Sequence, residues 1–142
     1  MISGRAVVPG VAEGEALVTH DALSFWGGYD FHTGEIIERR HPLAGVSAAG
    51  RVLAVPYSKG SSTTTAVLLE AVRAGTAPVA IITTGVDAFF ALASIVSGTM
   101  YGRSFPVVAV EAEAFAALAT GDRVRIERNG RIHTTDGETG RT

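Results

Sequence analysis

The sequence predicts an α/β domain with a central βαβαβ stretch and antiparallel strands flanking it at both ends. Three apolar runs carry this prediction, at residues 51–56, 78–84 and 105–110. Parallel strands that are covered by helices on both faces are nearly continuous in apolar residues, as these runs are. The chain has 142 residues, which suits one compact domain with a single core.

Helical patterns alternate with these runs, and each ends at a glycine, the residue that most easily adopts the left-handed conformation after a helix. The first extends from Ala66 to Gly75 and has Arg73 in its last turn. The second covers 86–98 and the third 111–121. Strand, helix and strand in alternation predict right-handed crossovers between parallel strands.

The remaining strands are predicted at the two ends of the chain. Short β-branched runs bounded by Gly and Pro, and an alternating run around Asn129-Gly130, are typical of strands and of a hairpin. A loop over 21–41 separates the two groups and is expected to hold one short strand. The predicted strands are 4–10, 14–20 and 35–38, followed by the hairpin at 122–135. We expect one domain over 1–135 and a frayed tail over 136–142.

Composition excludes several classes of protein. Charged residues make up 18% of the chain, the net charge is −2, and no basic stripe is present, so we expect no binding to nucleic acid. No apolar run approaches the roughly 20 residues that cross a bilayer, and the first residues lack the pattern of a signal peptide. We therefore expect a cytoplasmic protein with no membrane partner. The chain has no cysteine, so it forms no disulfide and cannot hold an iron–sulfur cluster through its own thiolates.

The segment Lys-Gly-Ser-Ser-Thr-Thr-Thr at 59–65 is the strongest candidate for chemistry. It lies between a predicted strand and a helix, where unpaired backbone amides favour carboxylate or phosphate. One interpretation is a capped helix start. A P-loop places Gly before Lys, whereas here Gly follows Lys, and the G-x-S-x-G pattern of α/β-hydrolases is missing. Local chemistry thus predicts an anion-binding turn and leaves its reaction open.

Three motifs together resemble a known family. They are SFWGGYDFHTG at 24–34, HPLAG at 41–45 and SKGSST at 58–63. Their order and spacing are similar to the small subunit, or swivel domain, of aconitase X, and the resemblance extends from about Gly4 to Gly130. It implies a swivelling β/β/α fold.

The resemblance also implies a split active site. A larger catalytic subunit is expected to hold an iron or iron–sulfur centre, which acts as a Lewis acid on the leaving hydroxyl, and this chain is expected to bind no metal. The swivel domain is expected to supply the base, by similarity Ser61, with Ser62 as its immediate competitor. Lys59 and the helix amides would support the serine electrostatically, and Gly60 would permit the turn.

The loop motif supplies further candidates. Ser24, Gly27, Gly28 and Asp30 are expected to bind or support the substrate, with the glycine pair letting the backbone approach substrate or large subunit. Asp30 is a candidate for orienting Lys59 or Ser61, and Trp26 for anchoring the subunit interface. The alternative is a Gly-Gly turn whose aromatic neighbours fold onto the core. His41 is a candidate for the subunit contact or an ordinary loop histidine.

Two activities are known for the family, the dehydration of mevalonate 5-phosphate and that of cis-3-hydroxy-L-proline. The loop departs from the archaeal pattern at Trp26, Tyr29 and Phe31, and MYGRSFPVV at 100–108 resembles the bacterial type. We therefore expect a small hydroxy acid, cis-3-hydroxy-L-proline, as the substrate. The alternatives are a mevalonate 5-phosphate dehydratase small subunit and a non-catalytic swivel domain that acts as a binding or scaffold module.

Overall fold

A computed structural model describes residues 1–59 and 63–135. These ranges contain one eight-stranded sheet, one two-stranded sheet and three helices. In chain order the elements are β1 (Ile2–Ser3), β2 (Arg5–Val8), β3 (Ala12–Val18), β4 (Leu23–Ser24), β5 (Val52–Ala54), β6 (Ser58–Lys59), α1 (Thr63–Ala74), β7 (Ala80–Thr83), α2 (Ala88–Tyr101), β8 (Val107–Ala109), α3 (Ala112–Ala116), β9 (Arg123–Ile126) and β10 (Arg131–Thr135).

The large sheet has the strand order β1-β10-β9-β3-β5-β7-β8-β2. Strands β3, β5, β7 and β8 are parallel, while β2, β9, β10 and β1 join them antiparallel at the two sides. The predicted βαβαβ centre with antiparallel flanks is therefore confirmed.

The sheet nearly closes on itself at Gly4. Its two edge strands, β1 and β2, are consecutive in the chain and are separated by that one residue. The amide of Gly4 donates to the carbonyl of Gly130 (3.0 Å). A Cβ on Gly4 would lie 2.4 Å from Val108, and one on Gly130 would lie 2.5 Å from the Gly4 carbonyl oxygen. Two glycines thus permit the close approach at which the sheet closes.

Two apolar clusters lie on opposite faces of the parallel strands, because successive side chains of a strand alternate in direction. One packs Leu53 and Ile81 against α1, α2 and the 21–50 loop. The other packs Val52 and Ile82 against α3 and the hairpin strands. Helices, parallel strands and antiparallel strands therefore form the expected β/β/α layers.

Three of the predicted elements differ in the structure. Residues 35–38 form no strand; Glu35 and Ile36 each make an isolated bridge, to Ser47 and Tyr29 respectively. The second helix continues past Gly98 to Tyr101. The third helix ends at Ala116 rather than near Gly121. Strands β1, β4 and β6 have two residues each, too few to produce a periodic pattern in sequence.

None of the helices in the described ranges is long and apolar enough to cross a membrane. The predicted tail at 136–142 lies outside those ranges.

Candidate functional site

A two-stranded parallel sheet joins two motifs whose first residues, Ser24 and Ser58, are 34 positions apart in the sequence. Strand β4 opens the SFWGGYDFHTG motif and β6 opens the SKGSST motif. Leu23 pairs with Ser58, and Ser24 pairs with Lys59. The loop motif is therefore held directly beside the residue that precedes Gly60 and Ser61 in the chain.

Lys59 is fixed by a carboxylate from a third part of the chain. Its Nζ donates to Glu38 Oε2 (2.9 Å), and the other oxygen of Glu38 accepts from the Ser24 amide (3.0 Å). The Lys59 side chain is half exposed and that of Glu38 is mostly buried. One carboxylate thus holds both the lysine side chain and the backbone of the strand beside it.

These contacts determine the ionisation of Glu38. Burial disfavours its charge and acts to raise its pKa, but this effect is outweighed. The hydrogen bonds from Lys59 and from the Ser24 amide, with the charges of Lys59 and His41, together lower the pKa of Glu38 below its usual value. Glu38 is therefore ionised at neutral pH and remains a strong acceptor for the lysine.

Asp87 fixes strand β6 from the opposite direction. Its Oδ1 accepts from the amides of Phe89 and Phe90 (3.0 and 3.2 Å) and so caps α2. Its Oδ2 accepts from the amide and the hydroxyl of Ser58, both at 2.8 Å. One side chain therefore ties the start of α2 to the strand that leads into the Lys-Gly-Ser segment.

Gly27 and Gly28 are required by the loop's own geometry. Gly27 has φ +74°, in the left-handed region, and nothing lies within 4 Å of the place where its Cβ would be. A Cβ on Gly28 would lie 1.9 Å from the Ser24 carbonyl oxygen, so only glycine fits there. Gly28 thus lets the loop pack against itself, while Gly27 leaves an open surface at the turn.

Asp30 lies within the turn of the same loop. Its Oδ1 accepts from the His32 amide (2.9 Å), and its carbonyl accepts from the amides of Thr33 and Gly34. The carboxylate that contacts Lys59 is Glu38 rather than Asp30. Ser61, the other residue that Asp30 was a candidate to orient, lies outside the described residues.

The aromatic residues of the loop motif divide into two groups. Phe25 and Tyr29 are buried and stacked with ring centroids 5.1 Å apart, and Phe25 also meets Phe90 edge to face. The Tyr29 hydroxyl donates to the Thr76 carbonyl (2.7 Å), and burial raises the pKa of Tyr29. Trp26, in contrast, is 72% exposed. Folding onto the core therefore accounts for Phe25 and Tyr29 but not for Trp26.

A cavity of about 390 Å³ opens beside the Lys59–Glu38 pair. His41 is buried in its wall, where Nδ1 accepts from the Leu43 amide (3.1 Å) and Nε2 faces the Asp21 carbonyl (3.4 Å). This size suits a small metabolite. The residues that line the cavity are Asp21, Ala22, Glu38, Arg40, His41, Pro42, Tyr57 and Lys59.

A second cavity of about 370 Å³ lies between the β2–β3 turn and the segment that follows α2. Its walls include Val11, Val79 and Pro106, with Arg103 among them. It contacts neither of the two motifs joined by β4 and β6. The candidate site is therefore placed at the first cavity, where acidic and basic side chains converge.

The predicted base Ser61 and its neighbours Gly60 and Ser62 lie outside the described residues. The hydroxyl residues that follow them begin helix α1. Thr63 begins α1, Thr64 is buried, and the Thr65 hydroxyl donates to the Phe89 carbonyl (3.0 Å). At least Thr65 therefore serves the packing of α1 against α2.

Sequence reasoning did not identify Glu38 or Asp87 as parts of the site, and it included Ser58 only as the first residue of the SKGSST motif. Asp87 was recognisable as the start of a helix, but its second oxygen reaches Ser58, 29 residues away. Glu38 is 21 residues from Lys59. No motif connects either pair. Among residues 1–59 and 63–135, no group of three His, Asp or Glu side chains is placed to hold a metal ion.

Comparison with known proteins places these features in a family. The family model for the aconitase X swivel domain matches residues 1–134. A cis-3-hydroxy-L-proline dehydratase of Pseudomonas aeruginosa is 42% identical over 132 residues, which are 93% of this chain and 22% of that protein. A phosphomevalonate dehydratase small subunit of Methanosarcina acetivorans is 36% identical, over 88% of this chain and 83% of that subunit.

The fold agrees with these sequence relationships. A crystal structure of Thermococcus kodakaraensis aconitase X, in its holo form, superposes with a TM-score of 0.83 and 32% identity. The match covers 94% of this chain and 96% of the aconitase X chain. This chain spans about a fifth of the Pseudomonas relative, and most of the Methanosarcina small subunit. The chain belongs to the aconitase X swivel domain family.

Proposed function

We propose that this chain is the small subunit of an aconitase X-type dehydratase and that it acts together with a large catalytic subunit. The observation that carries the proposal is the β4–β6 pairing, which brings the two family motifs together at Lys59, immediately before Gly60-Ser61. Membership of the swivel domain family, whose relatives include named dehydratases, supports the reaction type.

In this proposal Ser61 removes a proton from the carbon next to the one that bears the leaving hydroxyl. The C–H electron pair forms the new double bond and the C–O bond breaks. The hydroxyl leaves as water with a proton from solvent, and the proton taken by the serine returns to solvent, so that the substrate loses one water in total. A serine hydroxyl is ordinarily a poor base, because its alkoxide is unstable in water. The ammonium group of Lys59 and the first amides of α1 would stabilise that alkoxide. Ser62 is the alternative base.

Glu38 has a positioning role in this scheme. Because it binds the Lys59 ammonium and the Ser24 amide together, it restricts a side chain that would otherwise rotate freely. It also offsets part of the lysine's charge. Asp87 acts further away, through Ser58, on the strand that leads to the serine.

In this proposal the large subunit holds the metal centre. An iron or iron–sulfur centre on the large subunit would act as a Lewis acid on the leaving hydroxyl. A chain without cysteine cannot bind a cluster through its own thiolates, which fits the proposed division of labour.

The proposed substrate is cis-3-hydroxy-L-proline. The relative of that name, at 42% identity, and the sequence of the 24–34 loop support it. Mevalonate 5-phosphate is the second candidate. It is favoured by the phosphomevalonate dehydratase small subunits among the relatives and by Arg40 and Lys59 at the cavity, whose charges suit a phosphate.

Reconstitution with a large subunit tests the proposal. We would purify the chain with the aconitase X-type large subunit encoded in the same genome and measure the dehydration of both substrates. Turnover of cis-3-hydroxy-L-proline by the pair, but by neither chain alone, is the expected result. Turnover of mevalonate 5-phosphate alone would replace the first substrate by the second. A stable pair with no dehydratase activity, or no pairing at all, would favour the non-catalytic scaffold module.

A further inference from the structure

The outward face of α2 exposes large apolar side chains. Leu92, Ile95 and Met100 are 47%, 56% and 61% exposed, and the 14 residues of the helix include no charged side chain. The opposite face, with Phe90, Ala93 and Ser97, is buried. An amphipathic surface helix normally has charged or polar residues where α2 has Leu92 and Ile95.

The neighbouring helix shows the ordinary pattern. Helix α1 packs against α2 and carries Glu70 and Arg73 on its outer side, where they form an ion pair (2.7 Å). Of these two packed helices, α1 therefore exposes charged side chains and α2 exposes apolar ones. A contiguous exposed apolar surface of this kind marks an interaction site more often than a solvated one.

The start of α2 is tied to the candidate site. Ser58 and Asp87 are joined by two hydrogen bonds, and their chain neighbours Tyr57 and Val86 are each more than half exposed. Tyr57 lines the cavity beside Lys59. Exposed apolar side chains therefore occur at the cavity, beside the start of α2 and on its outer face.

We propose that the outer face of α2, with Tyr57 and Val86 at its site end, is a docking surface for the large subunit. This inference rests on the proposed function. A subunit that completes an active site at the cavity must cover its rim, where Tyr57 is exposed, and the hydrogen bonds from Ser58 to Asp87 tie that rim to the start of α2.

The relatives also favour the large subunit as the partner that binds this surface. The domain matches either a named small subunit or about a fifth of a longer protein. In the first case a separate subunit, and in the second the rest of the same chain, is expected to contact it. A second copy of this chain would not complete the proposed active site. A stable heterodimer buries roughly 800 Å² on each partner, and its central contacts are large apolar side chains ringed by polar ones.

The test measures binding of the purified large subunit to wild-type chain and to Leu92→Glu and Ile95→Glu, by titration calorimetry. Because a charge would be buried without a partner, we expect each substitution to weaken binding about 100-fold. Ala116→Glu is the control, since Ala116 is an exposed helical residue of α3, on the opposite face of the parallel strands. It should bind as the wild type does.

The outcomes separate this inference from the proposed function. If the wild type binds and both α2 variants bind equally well, the docking surface is wrong and the proposed function stands. If the wild type does not bind at all, both are wrong. If the variants instead abolish only self-association of the free chain, measured by light scattering, the surface joins two copies and the inference is overturned. Circular dichroism and thermal unfolding of each variant exclude misfolding as the cause of weak binding.

Discussion

Asp87 offers a direct test of how strand β6 is positioned, because its two carboxylate oxygens accept hydrogen bonds from different elements. One caps α2, and the other binds the amide and hydroxyl of Ser58. Asp87→Ser retains a cap residue but is too short to reach Ser58 as well. Asp87→Ala removes both functions. The two variants therefore separate the cap from the link to β6.

The expected magnitudes follow from these contacts. Losing an N-cap costs about 1 kcal/mol of the free energy of unfolding. A hydrogen bond to a charged group contributes about 1.5–3 kcal/mol, and water replaces part of this at the half-buried Ser58. We expect Asp87→Ser to lose about 1–2 kcal/mol and Asp87→Ala about 2–3 kcal/mol.

Urea unfolding followed by circular dichroism measures these differences, and hydrogen exchange at the Ser58 amide reports the link directly. We expect the Ser58 amide to exchange faster in both variants than in the wild type. The first amides of α2 should exchange as slowly as in the wild type in Asp87→Ser, and faster in Asp87→Ala. Equal stability of Asp87→Ser and wild type would refute the reasoning about Ser58. Equal stability of the two variants would refute the separate role of the cap.

Three further predictions concern the loop, the ion pair and the core. Gly28→Ala should lower the free energy of unfolding, measured in urea, by about 1–3 kcal/mol or more, since its Cβ would lie 1.9 Å from a carbonyl oxygen. Gly85→Ala is the control and should be near neutral, because open space surrounds that position. Glu38→Gln should change stability by less than about 1 kcal/mol at pH 7. Because the pKa of Glu38 is lowered in the folded state, any stabilisation by its ion pair exists above pH 4.5 and is lost as the pH falls below that value. The free energies of unfolding of wild type and variant should therefore converge in acid. A difference that grows as the pH falls would contradict this. Leu68→Ala, at a fully buried position of α1, should lose about 2–5 kcal/mol, and a loss under 1 kcal/mol would show that the first cluster is not close-packed.

The regular elements were predictable because their signals are local. The Asn129-Gly130 hairpin forms as expected, with Gly130 at φ +93°. Helix α2 was predicted to end at Gly98, but the left-handed cap is Gly102, whose amide donates to the Gly98 carbonyl. A glycine within a helix and one that ends a helix look alike in sequence.

From the sequence, the site could be predicted only in the segments that belong to a motif. The resemblance identified the two segments that β4 and β6 bring together, but no periodic pattern marks a two-residue strand. Asp30, inside a motif, was a candidate partner of Lys59 or Ser61, whereas Lys59 contacts Glu38, which lies outside any motif. Such pairings depend on how the 21–50 loop folds back, which is tertiary packing and has no local signal.

The central claim is that Ser61 is the base of a dehydratase completed by a large subunit. The most direct measurement is the turnover number of the reconstituted pair with Ser61→Ala, beside Ser62→Ala as the matched control, on cis-3-hydroxy-L-proline. The account predicts that Ser61→Ala lowers turnover by about 10²–10⁴-fold while the pair still assembles, and that Ser62→Ala retains most activity. Near wild-type turnover by Ser61→Ala would contradict it.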